Sequence, residues 1–431
     1  MTKSKAYSAV EVQRVSVELW AAGRTGGVWA GVDVGKDECL MVLRWDDGDF
    51  ERPIRWRNPG QIPSAVEVLV SLGRRGLPVT VALESSGTYG DAFRQALGDA
   101  GLMAYRVAGK AAKDYAEVFD GVPSQHDGKD AAILAELGAY GKAAAWPWQT
   151  ASDDEQRLSY HVDLLDLYQR QWLGWVNRIE AWLGRHWPEA TDLLELRCVT
   201  LLELLTAYGS PAAIAADPVA GSRMAGWGGS FLRPEKIERV LASAGSTLGV
   251  RPTAVDVLRV RHYCREALSA WRQVRQQRAG LARHSCACPD VRRLAPTLGL
   301  ATVCVLHAVA GDPAKYSCAR AYLKALGLNL KERSSGRYKG RLKISKRGSG
   351  LARRWLYLAA LRLLRRPSVW RWYVRKVQRD GGAKKPAVVA VMRKIGMGIQ
   401  RSSAEGVAFD PQRLFPNCVC EKTPEPAQSR R

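Results

Sequence analysis

Four acidic residues stand out for where they fall. Asp33 closes the apolar run VWAGVD (28–33), Glu84 closes VTVALE (79–84), and Asp127 and Asp130 lie three apart in HDGKDAAILAEL (126–137). Both apolar runs have strand composition, so each of their carboxylates falls at the carboxyl edge of a central sheet. An i,i+3 pair shares one face of a helix. Four carboxylates converging there repel one another unless cations sit between them, and hard oxygen donors of this sort suit Mg²⁺ or Mn²⁺. Two such ions about 4 Å apart activate an attacking oxygen and stabilise a leaving one at a phosphodiester. Taken singly, each residue has a plainer reading: a strand-end Asp forms turns, and Asp127 caps a helix.

A second constellation is the basic loop GLNLKERSSGRYKGRLKISKRGSG (327–350). A hydroxyl beside Gly336, flanked by Arg333, Arg337, Lys339 and Arg341, sits in a field that holds phosphate. Lys343, Lys346 and Arg347 continue the charge, and Arg353 and Arg354 open the helix that follows. A serine there either attacks phosphorus and forms a covalent intermediate or is a bystander in a phosphate-contacting loop. The residues alone leave both readings open.

The elements around these residues change character along the chain. Residues 1–27 form a polar extension with one short amphipathic stretch. From 28 to 145, strands are expected at 28–33, 39–45, near 50–54, 79–84 and 103–107, with helices at 61–73, 88–100 and in pieces over 110–140. Three hairpin-linked strands followed by alternating strands and helices imply a mixed sheet with helical flanks. Ser152 and Glu155 form a capping box. Behind them Leu158, His161, Leu165, Tyr168, Trp172, Trp175, Ile179 and Trp182 keep heptad spacing. Val257, Val260, Cys264, Ala267, Trp271 and Val274 repeat the pattern, so 150–288 reads as a helical coiled-coil arm, less regular over 188–252. Its helices either pack on each other or pair subunits. Residues 289–402 read as helical and basic, and 403–431 as a disordered tail.

Of the 431 residues, 46% are hydrophobic, enough for a sizeable core, while the net charge is +23. A surplus of that size calls for a polyanionic partner. It is uneven: residues 331–380 hold seventeen Lys and Arg against Glu332 and Asp380. No apolar run is long enough to span a bilayer and the N-terminus lacks a signal-peptide core, so a cytoplasmic protein with reduced cysteines is expected. The pairs Cys286/Cys288 and Cys418/Cys420 are C-x-C, not the spacing of structural zinc, and read as ordinary small residues.

The motifs GVDVGKDE (31–38), ALESSGTYG (82–90) and HDGKDAAILAEL (126–137), with LGLNLKERSSGRYKGRLKISKRGSGLARRWLYLAAL (326–361) and AKKPAVVAVMRKI (383–395), together resemble one family. It is the bridge-RNA-guided DEDD transposases of the insertion-sequence one-ten family, relatives of the Piv DNA invertases. The resemblance covers about 28–140 and 290–400. It departs at His126, where Thr or a similar residue is usual, at Ala108–Gly109 in place of Asn-Pro, at Leu330 in place of Pro, and at Pro296–Leu298–Gly299, an imperfect P-G-[IV]-G hairpin.

The resemblance implies a ribonuclease-H-like (RuvC-like) DEDD domain over 28–145, with metal on Asp33, Glu84, Asp127 and Asp130, and a transposase domain over 289–402 carrying a catalytic Ser335. It further implies Mg²⁺-dependent cleavage and rejoining of DNA, a structured bridge RNA pairing with donor and target DNA, a homo-oligomer (dimer or tetramer) and a place at the bacterial nucleoid. A site-specific invertase of the same fold is its near neighbour. Two readings of other classes stand beside it. GVDVGKDE also resembles the phosphate loop of sugar kinases and actin-like ATPases, which gives no account of +23 or of Asp127 and Asp130. A non-catalytic nucleic-acid-binding protein would not need all four carboxylates and the serine.

Overall fold

The computed structural model describes residues 8–415, apart from 86, 122–125, 150, 286, 287, 333, 336, 337 and 341, and apart from the side chains of 334, 335, 338 and 339. The chain divides into two compact units, residues 1–150 and 151–431.

The first unit is built on a seven-stranded mixed sheet, β1 Val10–Glu11, β2 Val28–Val34, β3 Glu38–Trp45, β4 Ile54–Arg57, β5 Val79–Glu84, β6 Ala104–Val107 and β7 Ala143–Ala145, in the order β1-β4-β3-β2-β5-β6-β7. Strands β2, β3 and β4 pair antiparallel, β5 and β6 run parallel to β2, and β7 closes the edge antiparallel. Helices are α1 Val17–Ala21, α2 Ile62–Arg74, α3 Asp91–Asp99, α4 Gly109–Asp120 and α5 Asp127–Ala139. β2 is apolar on both faces because both are covered. On one side Val32 and Val34 pack with Leu69, Leu72 and Phe93 from α2 and α3. On the other, Ala82 and Val107 meet Ala116, Ile133, Leu134 and Leu137 of α4 and α5.

Three features differ from the sequence reading. The third strand lies at Ile54–Arg57, not near 50–54; Phe50 makes only an isolated bridge to Arg44. The stretch 10–21, within the polar N-terminal extension, supplies an edge strand and a short helix. The AAA of β7 has no pattern of its own and becomes a strand by pairing with Tyr105–Val107.

In the second unit, α6 Asp153–His186 starts at the Ser152–Glu155 capping box and packs along α12 Ala254–Ser285. The two run antiparallel: His161 stacks on His284, Trp172 on Trp271 and Trp175 on Tyr263. Leu165, Ile179, Val260, Cys264, Ala267 and Val274 are buried in the seam. The residues between them, less regular in sequence, form five helices, α7 Ala190–Leu193, α8 Val199–Tyr208, α9 Pro211–Ala216, α10 Ala220–Gly228 and α11 Pro234–Gly245, around a core with Trp187, Leu201 and Met224.

Helices α13 Pro289–Leu298, α14 Leu300–Ala310, α15 Ala319–Ala325, α16 Gly350–Leu363, α17 Pro367–Arg379 and α18 Lys384–Glu405 share one core with Val162 and Leu165 of α6 and Val274 and Leu281 of α12. The sequence reading begins the tail at 403. The structure instead buries Ser403, Phe409 and Phe415, because the last two aromatics complete that core. Residues 416–431, with Cys418 and Cys420, lie outside the described residues, as does Cys286; the described Cys288 is half-buried. Among the described residues no helix is long and apolar enough to cross a membrane.

Candidate active site and transposase domain

The carboxylates of the first unit are brought together by the way α5 lies on the sheet. A Cβ on Gly31 of β2 would stand 2.0 Å from the Ala131 carbonyl oxygen and 2.3 Å from the Ala135 nitrogen. Helix backbone therefore rests on strand backbone, an approach that any side chain at 31 forbids. At the far end of α5, Gly138 makes room for the Trp29 ring in the same way. A largely buried ion pair between Arg44 of β3 and Glu136 holds the outer side of the helix. Lys129, almost wholly buried, reaches Asp120 at 2.6 Å and ties α5 to the end of α4.

The helix begins at its functional residues. His126 is the N-cap, and its Nδ1 accepts the Lys129 amide at 3.1 Å. The departure from Thr at this position thus preserves a capping acceptor. Asp127 and Asp130 occupy the first turn, where unsatisfied N–H groups and the helix dipole favour negative charge.

Asp33 lies half-buried near the end of β2. Its carboxyl is pushed up to about 6, first by burial and then by the negative charges of Asp127, Asp130 and Glu84. Burial and Asp130 raise Glu84, and burial and Asp127 raise Asp130, the latter opposed by His126 and Lys129. Asp33 thus lies in the field of the other three carboxylates, and Asp130 links Glu84 with Asp127. Glu84 is more open to solvent, and its Oε1 lies where a Cβ on Gly109, the first residue of α4, would come within 2.1 Å. Gly109, having no Cβ, leaves the carboxylate this place.

The cluster is open. Among the described residues, no three His, Cys, Asp or Glu side chains close into a metal-binding group. The donor chemistry fits a hard cation all the same: Mg²⁺ keeps several waters and is held through one or two carboxylates plus substrate phosphates, not in an all-protein cage.

In the second unit, the segment read as a loop is a β-ribbon. At its base β8 Leu330–Lys331 pairs antiparallel with β11 Lys343–Ile344, and towards its tip β9 Ser334–Ser335 pairs with β10 Tyr338–Lys339. Ser335 stands opposite Tyr338, and of these two residues only the backbone is described. Arg333, Gly336, Arg337 and Arg341 lie outside the described residues, and of Lys339 only the backbone is described. Lys343, Lys346 and Arg347 are exposed, and Lys346 takes a φ of 57°. The base is pinned: Asn329 and Ser345 hydrogen-bond by side chain and backbone, and a Cβ on Gly348 would run into the backbone of Ala325 and Gly327.

Two residues expected to contact nucleic acid already have partners in the chain. Arg353 donates to the Gly348 carbonyl at 2.9 Å and more weakly to that of Leu326. Arg354 pairs with Asp166 of α6. Both hold the ribbon's helix, α16, in place.

Residues 293–375 match the family model of the transposase IS116/IS110/IS902 family. This segment is similar to the transposase domain of that family. No curated protein matches the chain. The matched segment runs from within α13 into α17 and includes the whole ribbon, so Ser335 falls inside it while the four carboxylates belong to the other unit.

Proposed function

We propose that the chain is a DNA transposase that cuts and rejoins the strands of a mobile element, with Asp33, Glu84, Asp127 and Asp130 as its metal-binding carboxylates and Ser335 as its nucleophile. The transposase-family match over 293–375 carries the class of reaction. A sugar-kinase reading leaves that match without an account. The sheet order and the mix of antiparallel β2–β4 with parallel β5 and β6 support a ribonuclease-H-like, RuvC-like first unit; α6 and α12 pair with each other within the chain, so the homo-oligomer rests on the family resemblance.

Bound at the four carboxylates, Mg²⁺ or Mn²⁺ supplies charge neutralisation at the scissile phosphate. The chain's own residues do the rest. Asp33 and Asp130, half-buried and mutually repelling, form the fixed wall of the site, and Glu84 forms its open side. The Ser335 hydroxyl oxygen attacks phosphorus and gives up its proton to solvent, the bond to the departing strand oxygen breaks, and that oxygen takes up a proton. The serine–phosphate ester conserves the bond energy for rejoining to a new strand. A structured RNA selects donor and target DNA by base pairing, while the basic surface grips backbones.

The test is strand cleavage of element-end DNA in the presence of RNA that co-purifies with the chain. Cleavage should require Mg²⁺ or Mn²⁺ and be lost in Glu84→Gln, and a covalent protein–DNA adduct should form and vanish in Ser335→Ala. Cleavage by Glu84→Gln at the wild-type rate removes the carboxylates from the mechanism. An adduct that survives Ser335→Ala removes the serine.

A further inference from the structure

Where α12, α14 and α16 meet, the second unit holds a cavity of about 260 Å³. That is room for roughly eight water molecules at their share of liquid volume, ample for a phosphate group. Two arginines line it, Arg278 from α12 and Arg362 from α16, and no carboxylate does. Neither arginine forms an ion pair among the described residues. Arg362 is set in place by its Nη1, which donates to the Leu298 carbonyl at 2.7 Å and lies where a Cβ on Gly299 would be 2.1 Å away. Gly299, at φ 85°, is therefore the one residue type that allows this turn and this guanidinium together.

The turn leads straight into the eleven-residue helix α14. Its first two amides, of Leu300 and Ala301, find no acceptor among the described residues, and both residues line the cavity. A helix start of this kind attracts anions. An independent observation points to a ligand. Thr302 and Trp355 also line the cavity, both are more than nine-tenths buried, and Thr302 Oγ1 and Trp355 Nε1 have no hydrogen-bond partner among the described residues. Buried donors left unpaired cost free energy, and a site gathering two arginines, two free amides, a hydroxyl and an indole N–H, with no carboxylate among them, has the chemistry that complements an oxyanion.

We infer that this cavity is a phosphodiester-binding pocket that anchors one backbone phosphate of a nucleic acid, away from the carboxylates that would do the chemistry. The inference rests on the proposed function for the identity of the anion, since a nucleic acid is the polyanion a transposase handles. Because Thr302 lies in the first turn of α14 and Arg362 two turns along α16 from Trp355, the anchor would fix the backbone's register against the transposase domain without reading bases.

The experiment measures affinity over a series of KCl concentrations for three probes of one sequence, duplex DNA, single-stranded DNA and RNA. It compares wild type with the Arg278→Gln/Arg362→Gln double variant and with Thr302→Val. Releasing one phosphate should lower the log–log salt slope by about 0.9 on the duplex or about 0.7 on a single strand. The probe that shows the drop identifies the strand held. Thr302→Val should weaken binding to the same probe with the slope unchanged, since it removes a neutral donor. Should Arg362→Gln disturb the Gly299 turn, Arg278→Gln alone, on an exposed side chain in no ion pair among the described residues, reads the same slope. Unchanged slopes and affinities on all three probes, with wild-type binding intact, overturn the pocket and leave the proposed function standing. Failure of the wild-type chain to bind any probe overturns both.

Discussion

Replacing Asp33 by Asn should make the resting protein more stable while destroying its activity. The Asp33 carboxyl, ordinarily at 3.8, stands at about 6 in the fold because of burial and the charges of Asp127, Asp130 and Glu84. Its folded value lies above its unfolded one, so folding disfavours the ionised form. The penalty is absent below about pH 4, grows as pH rises through 6, and is full near pH 8. At about 1.4 kcal/mol for each tenfold change, the lift corresponds to roughly 3 kcal/mol. Partial solvent exposure and sharing of the repulsion among four groups reduce this to about 1–2 kcal/mol. Asn keeps the shape and the acceptor facing the Val34 amide but carries no charge. Hydrogen exchange of peptides spanning β2 and β3, followed in urea, reads this unit separately from the other. Without divalent metal, Asp33→Asn should gain about 1–2 kcal/mol at pH 8 and nothing near pH 4. Mg²⁺ should stabilise the wild type and leave the variant unmoved. A variant no more stable at pH 8, or equally favoured at pH 4, would show that the carboxylates do not strain against one another and refute the reasoning.

Three further outcomes are expected. Gly31→Ala should cost about 3 kcal/mol, because its Cβ meets backbone of α5 that cannot step aside; thermal melting checks it, and a shift of under a degree would contradict the packing. Arg365→Glu with Arg366→Glu, both exposed and in no ion pair among the described residues, should flatten the salt dependence of DNA binding by about 0.9 for each phosphate released, whereas Arg354→Ala should lower the melting temperature by parting α16 from Asp166. Mixing an Asp33→Asn chain with a Ser335→Ala chain, each inactive alone, should restore part of recombination if one site draws its carboxylates and its serine from different subunits; a clean zero from well-formed mixed oligomers places both on one chain.

Much of the first unit is legible in the sequence because its central strands carry their own signal. VWAGVDV and VTVALE are apolar runs bounded by turns, and the position of a carboxylate within each survives an error of one residue in its bounds. The edges are not legible. Val10–Glu11 and Ala143–Ala145 have neither alternation nor β-branched bulk throughout and are strands only because a neighbour pairs with them. Five helices over 188–252 look irregular in sequence, although Ser210–Pro211 and Arg233–Pro234 mark two of their starts. The heptad spacing is plain, yet only the structure supplies the partner of α6 within the chain. At the carboxylates, sequence names the acids and misses what spaces them: Gly31, Gly109 and Gly138 bear no chemistry, and a close approach of backbones leaves no periodic trace. Arg353 and Arg354 look like any other basic residues of their block, since a partner such as Asp166, 188 positions away, has no local signature.

The seating of α5 on β2 has a consequence for precision. Asp127 and Asp130 stand on one part, Asp33 on another, and the two parts touch peptide to peptide at Gly31. A joint faced with side chains has play, because rotamers and methyl groups give by a few tenths of an ångström when a distant substitution pushes. This joint has none to give. The spacing between the two sets of acids is a machined dimension, set at this joint by the thickness of the backbone itself.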